Sequence, residues 1–423
     1  MNPGMVVKLR PSGPWRIGPD SGARNRVDAV YHSDTLYAAM TSAMAMLGAR
    51  DEWLDATARA SAPEVCFSSC FPFADEIGFV APPRTVWPPS TPALMAARVR
   101  WKSARFVPLG IVQAILSGKG LDDSQWAVDG ESECLVPAGR PGPFRTGVRW
   151  NAAVDRLSGA AERHSTACLE FRPGAGLWTV VSFADESAWE RWSGKVKAAF
   201  RWLADSGFGG ERSRGWGRSE APEFVEGALP EMILGASKER PKGAGETLGE
   251  APVSIEPLTE EPSSAPPVEE PPSEEPSVQE PPPADEAPKQ EPPPPEPLPS
   301  EDVGVRGAAE GVGFAEAPAP GPSSPAPSGV SGPRAHWLLS LYTPASGDAV
   351  DWGRGSYSVL TRGGRIEASG ELKKQLPMVE EGSVLVAADG LRGSAPDVAP
   401  DGFAHPVFRA GFAVSIPLPE APQ

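Results

Sequence analysis

The sequence predicts an α+β fold in two folded parts, on three observations. Strand-like and helix-like patterns alternate over residues 1–235, whereas residues 334–423 carry short strand-like runs. Between them, residues 236–333 consist almost wholly of Pro, Glu, Ala, Ser and Gly. Such a segment buries too little apolar surface to offset its conformational entropy, so we expect a long disordered linker there.

The charge of the chain is distributed unevenly along these segments. Residues 1–235 hold 26 basic and 26 acidic side chains, residues 236–333 hold 5 and 19, and residues 334–423 hold 8 and 10. The net charges are therefore 0, -14 and -2, which sum to the -16 of the whole chain. The acidity lies in the expected linker, so it does not exclude a nucleic-acid partner for the folded parts, whose arginines can cluster locally.

The first part begins with a strand and a helix. Met5–Arg10 alternates apolar and basic side chains, as a half-buried strand does. After a polar loop, Ser33 or Asp34 is expected to cap a helix. The apolar face of that helix repeats as Leu36, Met40, Ala43 and Leu47. A second short helix is expected over residues 52–60.

The middle of the first part is broken by prolines. Residues 63–101 predict short strands and loops. In an extended chain, Arg98, Arg100 and Lys102 would place three cations on one face. Either a solvated edge strand or a track for phosphates would use such a face.

A basic stretch follows at residues 140–156. Its arginines stand beside two aromatic side chains, Phe144 and Trp150, among turn residues, so we expect a projecting loop that is not core. Such a loop suits stacking on bases and pairing with phosphates. An irregular surface loop is the alternative interpretation.

The clearest helix pattern comes at the end of the first part. Residues 169–183 predict a hairpin, and Ser187–Ser206 predicts a helix that Gly207 ends. One stripe of this helix is apolar and contains Trp189, Trp192, Val196, Phe200 and Leu203. With a further strand from Pro222, the order outlines a ferredoxin-like βαββαβ unit, with a long insertion between its third strand and second helix.

A loop rich in glycine and arginine, Gly207–Arg218, separates that helix from the last strand. Glycines let a backbone approach phosphates closely, and arginines bind phosphate bidentately. No Gly-Lys-Ser/Thr follows the glycines and no helix begins in the loop, so neither a triphosphate loop nor a dinucleotide fingerprint fits. A nucleic-acid backbone is the better-matched ligand, and an ordinary turn with solvated arginines is the alternative.

The chain also contains four cysteines and a short C-terminal folded part. We expect Cys66, Cys70, Cys134 and Cys168 to be reduced and buried in a cytoplasmic protein, since no signal peptide is evident. A zinc site using Cys66, Cys70, His164 and Cys168 is the alternative, although the spacing is unusual. Residues 334–423 predict a small β-rich domain that packs against the first part.

Several segments match a known family. They are Tyr31–Leu36, Val154–Arg156, the Gly209–Arg218 loop, Leu339–Pro344, Arg362–Arg365 and Glu381–Val384. With these segments the chain resembles the RAMP protein that forms the fourth subunit of the Csm complex, a type III-A CRISPR RNA-guided interference complex. The loop alone would indicate only RAMP proteins in general.

The resemblance implies two RRM-like modules in one non-catalytic subunit without cofactor or metal. It implies binding of the 5′ tag of the CRISPR RNA and contact with the target duplex, the large polymerase-like subunit and a backbone RAMP subunit. A thumb hairpin that pushes between bases would fall around residues 140–156. The long acidic linker departs from the family pattern, which joins the modules more directly. The RNA-binding residues predicted in this way are His32, Ser33, Arg145, Arg149, Arg156, Gly209, Gly210, Arg212, Ser213, Arg214, Gly215, Trp216 and Arg218.

Two other functions stay open. Related RAMP proteins are metal-independent ribonucleases that process CRISPR repeats, and His32 stands where such enzymes often carry an acid–base histidine. A lone histidine is weak evidence, because acid–base catalysis normally needs a positioned partner. The third possibility is a structural scaffold without direct RNA contact.

Overall fold

The computed structural model describes residues 2–18, 23–89, 101–235, 332–366 and 369–419. Its helices are α1 (Ser33–Met46), α2 (Arg50–Ala56), α3 (Leu109–Leu116), α4 (Glu186–Ser206) and α5 (Glu231–Leu234). The first-part strands are β1 (Asn2–Leu9), β2 (Val65–Phe67), β3 (Phe71–Ala74), β4 (Ile77–Val80), β5 (Val107–Pro108), β6 (Trp126–Val128), β7 (Leu135–Pro137), β8 (Phe144–Val154), β9 (Ala161–Phe171), β10 (Ala175–Phe183) and β11 (Glu223–Leu229). The later strands are β12 (Arg334–Leu338), β13 (Val350–Ser356), β14 (Val359–Arg362), β15 (Leu376–Val379), β16 (Val384–Ala387), β17 (Gly393–Ser394), β18 (Gly411–Phe412) and β19 (Ser415–Pro417).

The fold is mixed α and β, with antiparallel sheets, as predicted. Two predictions concern residues outside the described ranges. One is the expected linker, of which only Gly332 and Pro333 are described, and the other is the pair of cations Arg98 and Arg100. Lys102 is described, and it lies in a single turn of 3-10 helix, Trp101–Ser103, not in a strand.

The main sheet has the strand order β11-β1-β10-β3-β4-β5, and β2 pairs with β10 beside β3. Strand β1 pairs antiparallel with both neighbours, so Val7 lies opposite Thr179 on one side and Phe224 on the other. Met5, Val7 and Leu9 alternate along β1 and are fully buried. Their period of two gives the sheet the apolar face that helices α1 and α4 cover.

The position of the long insertion was predicted wrongly. Strand β10 runs directly into α4, and the inserted elements lie between β3 and β10. The predicted hairpin at residues 169–183 is also wrong, because β9 pairs with β8 whereas β10 pairs with β1, β2 and β3. A short glycine turn between two apolar runs predicts a hairpin locally, but long-range pairing decides the partners.

Both long helices lie where the sequence predicts them, with one difference at a cap. In α4 the stripe residues Trp192, Val196, Phe200 and Leu203 are buried, and Gly207 ends the helix at a φ of 96°. Helix α1 begins after His32, and no side chain caps it. Ser33 and Asp34 are its first residues, so the predicted cap is wrong; both side chains make tertiary contacts instead.

Strands β8 and β9 form a long hairpin, which corrects the predicted loop at residues 140–156. The register runs from Phe144 opposite Phe171 to Val154 opposite Ala161. Phe144 is buried at the base, contrary to the sequence expectation, whereas Trp150 is 67% exposed farther along. The apolar face of the hairpin therefore begins in the core and continues into solvent.

The C-terminal residues form a four-stranded sheet with the order β13-β16-β12-β19, joined by two smaller strand pairs. This part packs against the N-terminal residues, as its small size led us to expect. The Trp337 indole donates to the Ala81 carbonyl at 3.0 Å, and the Ser69 amide donates to the Leu339 carbonyl at 2.9 Å.

The cysteines are free thiols buried in this core, as predicted. Burial raises the pKa of the Cys66 thiol to about 12. Within the described ranges, no group of His, Cys, Asp and Glu side chains is arranged to hold a metal ion. No described helix combines the length and the apolar character needed to cross a membrane.

Candidate nucleic-acid interface

His32 is the centre of a buried ionic cluster. Its Nδ1 lies 2.8 Å from Glu381 Oε1, and its Nε2 lies 3.3 Å from Asp28 Oδ2. The second contact is an ion pair whose geometry falls short of a hydrogen bond. Burial alone would lower the pKa of His32, but the two carboxylates outweigh it and raise that pKa to about 9. His32 is therefore an imidazolium ion at neutral pH.

Asp34 carries a second buried ionic contact, also between the two ends of the chain. Burial alone would raise its pKa, yet Arg362 and Arg409 lower it to about 2. Arg362 binds the carboxylate bidentately, with both nitrogen–oxygen distances at 3.1 Å. The guanidinium of Arg409 pairs with the same carboxylate. Such planar, two-point pairing fixes orientation as well as charge.

Ser33 and Ser69 complete these contacts. The Ser33 hydroxyl accepts from the Leu341 amide at 3.0 Å, and the Ser33 amide donates to the Ser69 hydroxyl at 2.8 Å. Ser69 in turn donates to Glu381. We call this set the ionic seam; its members are Asp28, His32, Ser33, Asp34, Ser69, Arg362, Glu381 and Arg409. The seam ties the start of helix α1 to the C-terminal sheet region.

The Gly/Arg loop is held by backbone contacts with the segment around Arg16. The Gly210 amide donates to the Arg16 carbonyl, and the Gly217 amide donates to the Pro14 carbonyl. Gly209 and Gly217 have positive φ values of 71° and 80°, and a Cβ on either would lie within 2.3 Å of a carbonyl oxygen. These two glycines are therefore needed for the loop's own packing, a role that the sequence did not reveal.

Arg16 is the buried cation of this region. It is 7% exposed, and its guanidinium donates to the carbonyls of Ala23, Arg24, Arg26 and Ala167 at 2.9 to 3.3 Å. These partners are neutral, so the side chain is fixed in place while its positive charge is not cancelled by them. Desolvation by burial lowers the pKa of Arg16, but an arginine stays charged at neutral pH.

A groove of about 300 Å³ lies between this loop and helix α1. Its wall contains three arginines: Arg16, Arg212 and Arg362. Gly207, Gly209 and Gly210 line the loop side, and His32, Thr35 and Ser42 line the helix side. We call it the Gly/Arg groove. A polyanion could lie against glycine backbone there and face Arg16 and Arg212, whereas the charge of Arg362 is paired with Asp34.

The other predicted loop residues divide into exposed and buried groups. Ser213, Arg214 and Arg218 are exposed, and Arg214 pairs with Glu211 at 2.9 Å. Gly215 has a positive φ of 79° with open space around it. Trp216 is only 9% exposed. His32 and Ser33 are buried as well, so their side chains serve the seam, although His32 also lines the groove.

The predicted hairpin cations lie on β8 and beyond it. Arg145 and Arg149 are exposed and both pair with Glu170 on the facing strand. Arg156 is exposed in the turn that joins β8 to β9. Arg163 lies over the Trp150 ring, with its guanidinium carbon 5.6 Å from the ring centroid. The base of the hairpin meets the same segment that holds the Gly/Arg loop, because the Arg16 guanidinium donates to the Ala167 carbonyl on β9 and the Arg16 carbonyl accepts from the Gly210 amide.

Sequence reasoning missed the structural part played by Arg16, Asp28 and Arg409, and it named Arg362 and Glu381 only within matching segments. Arg16 lies in the polar loop between the first strand and the first helix, and only the fold shows that its side chain turns inward. A buried Asp at a helix start could have suggested buried cationic partners. It could not have named residues more than 300 positions away.

Comparison with known proteins agrees with the resemblance stated from the sequence. Residues 333–418 match the family model of the CRISPR Csm4 C-terminal domain. Among the curated proteins, none matches the chain. A chain in the crystal structure of a Csm3-Csm4 subcomplex in the type III-A CRISPR-Cas interference complex is similar in fold. Its TM-score is 0.51 at 12% identity, over 98% of this chain and 99% of that one. A chain of the Csm1-Csm4 cassette in complex with cA4 matches with a TM-score of 0.47 at 14% identity, over 100% and 99%.

Proposed function

The chain carries the C-terminal domain of the Csm4 family, and from this premise we propose that it is the RNA-binding RAMP subunit of a type III-A CRISPR effector complex. In this proposal it binds the 5′ tag of the CRISPR RNA without cleaving it. It anchors the large polymerase-like subunit and contacts a backbone RAMP subunit. The partner named with the fold neighbour, Csm3, supports the backbone contact.

The observation that carries the proposal is the Gly/Arg groove. It combines close backbone approach at Gly207, Gly209 and Gly210 with the fixed charge of Arg16. Arg212 lies in the same wall, and Arg214 and Arg218 are exposed on the same loop. Phosphate groups of an RNA strand would meet cations at several points, which is the source of most nucleic-acid affinity.

The architecture fits two RAMP modules. Strands β11, β1 and β10 with β2 and β3, together with α1 and α4, have the order of a ferredoxin-like unit. We assign the β8–β9 hairpin as the thumb and Trp150 as its stacking side chain, with Arg145, Arg149 and Arg156 for phosphates. The C-terminal strands would form the second module, joined to the first by the acidic linker.

The geometry of His32 supports a binding role over ribonuclease activity. An acid–base catalyst must reach the substrate and exchange a proton near neutral pH. His32 is 2% exposed, and its pKa is raised to about 9 by carboxylates on both sides. We therefore assign His32 and Ser33 to positioning: they hold the end of helix α1 that lines the groove.

The test is co-purification from cells that express the chain with its genomic neighbours. Sequencing the bound RNA should reveal a short species with a constant 5′ end, and the large subunit should be present. RNA without a constant end, or no RNA, would contradict tag binding. A metal-free assay of the purified chain with repeat RNA separates the enzyme alternative: cleavage that His32→Ala abolishes would refute the non-catalytic assignment.

A further inference from the structure

A second cavity, unrelated to the Gly/Arg loop, lies on another side of the ionic seam. Its volume is about 310 Å³, and residues from both ends of the chain line it. We call it the Trp87 cavity and define it by Arg84, Trp87, Lys102, Arg105 and Glu380, which face it with the backbone of Gly382. Val30 lines both this cavity and the Gly/Arg groove, so the two are neighbours.

Two neighbouring tryptophans form the aromatic wall of the cavity. Trp87 is half-buried, and its ring lies 5.2 Å from the ring of Trp101, which is 2% exposed. The buried neighbour backs the exposed one, as a stacking platform requires. The Trp87 Nε1 is buried and finds no hydrogen-bond acceptor within the described part of the chain.

The charges around this platform favour an anion. Arg84 pairs with Glu380 at 3.1 Å, and Arg105 pairs with Asp28 at 3.4 Å; both arginine side chains are more than 40% exposed. Lys102 is exposed and makes no ion pair with a described carboxylate. Glu381 also borders the cavity, but His32 neutralises it. The two arginines are thus paired with Glu380 and Asp28, and Lys102 is the one cation of the three that has no carboxylate partner among the described residues.

We propose that the Trp87 cavity binds a single nucleotide, with the base stacked on Trp87 and the phosphate bound by Lys102 and the exposed arginines. A volume of this size falls at the lower end of the range for small-ligand pockets. This inference rests on the proposed function in one respect: the nucleotide would belong to the RNA strand in the neighbouring Gly/Arg groove. A splayed, stacked base is how single-stranded RNA is usually recognised.

The experiment uses the full chain and each of the four nucleoside 5′-monophosphates, measured by titration calorimetry. We expect saturable binding of at least one. Trp87→Ala should weaken it about tenfold, because stacking contributes about that factor per base. Lys102→Ala, a surface change, should weaken it several-fold through the phosphate. Lys119→Ala, at an exposed lysine that does not line the cavity, is the matched control and should leave monophosphate binding unchanged.

A second measurement separates this inference from the proposed function. Tag RNA with 4-thiouridine at successive positions should crosslink to Trp87 or Lys102 from one position. Normal RNA affinity without monophosphate binding, or without any effect of Trp87→Ala and Lys102→Ala, would overturn the cavity assignment alone. Monophosphate binding in a chain that binds no tag RNA would support the cavity and refute the proposed function.

Discussion

Raising the pH should destabilise this fold through one residue, His32. Its pKa in the folded state is about 9, against an ordinary value of 6.5. The difference of about 2.5 corresponds to about 3 kcal/mol, since each pKa unit is worth 1.36 kcal/mol. Because the folded pKa is raised, this stability is fully present below pH 6.5 and is lost as the pH rises through 9.

The carboxylates of the seam act in the opposite direction at low pH. Asp28, Asp34 and Glu381 have lowered pKa values in the folded state. Their contribution is present above the ordinary carboxylate range near pH 4 and is lost as the pH falls through the folded values. The free energy of unfolding should therefore be greatest between about pH 5 and 6.5.

Urea denaturation at pH 6 and at pH 9.5 measures the effect. The free energy of unfolding of the wild type should fall between these two values by about 3 kcal/mol more than that of His32→Gln. The control is His405→Gln, because His405 is exposed and should leave the wild-type pH dependence unchanged. An equal fall in the wild type and in His32→Gln would refute the assignment of a charged histidine in the seam.

Three further pairs of substitutions test the packing. Asp34→Ala leaves Arg362 and Arg409 buried without their carboxylate and should cost about 3 to 5 kcal/mol in denaturation; a cost below that of the exposed Asp51→Ala would contradict the seam. Gly217→Ala and Gly215→Ala share a φ near 80°, but only the first places a Cβ 2.0 Å from the Phe208 carbonyl. Gly215→Ala should cost about 1 kcal/mol and Gly217→Ala clearly more by thermal unfolding, and equal costs would contradict the loop geometry. On the hairpin, Phe144→Ala should cost about 3 to 5 kcal/mol and Trp150→Ala less than about 0.5, and the reverse order would show that the hairpin base is not core.

Local patterns predicted the parts of the fold that depend on neighbours in sequence. The stripe of α4 repeats every three to four residues, and Gly207 supplies the positive φ that ends the helix, so the helix could be located within one residue. Strand β1 was also predicted from a local pattern, the alternation of apolar and basic side chains along Met5–Arg10. Phe144 was misassigned because it stands between Pro143 and Arg145, where the local composition is that of a loop.

Long-range partners could not be predicted in this way. From its sequence, strand β9 could pair with β8 or with β10. Only the folded sheet shows that β9 pairs with β8 and that β10 pairs with β1. The pairs of His32 with Glu381 and Asp34 with Arg362 join residues more than 300 positions apart. These residues all belong to the segments that match the family, but the match did not indicate that they are in contact. The sequence singled out the glycines of the loop for the approach of a ligand. The structure shows that Gly209 and Gly217 are required for close packing against the Arg16 and Phe208 carbonyls.

RNA affinity across a salt series tests the central claim most directly. The ligand is a single-stranded tag RNA, and the variants are Arg212→Ala with Arg214→Ala. The matched control is Arg50→Ala at the start of α2 with Arg59→Ala in the turn after it. For the wild type, the logarithm of the binding constant should fall linearly with the logarithm of salt concentration, and removal of two phosphate contacts should make the slope shallower by about 1.4. The control should keep the wild-type slope. If the loop variant also kept the wild-type slope and affinity, the Gly/Arg groove would not be the RNA-binding site.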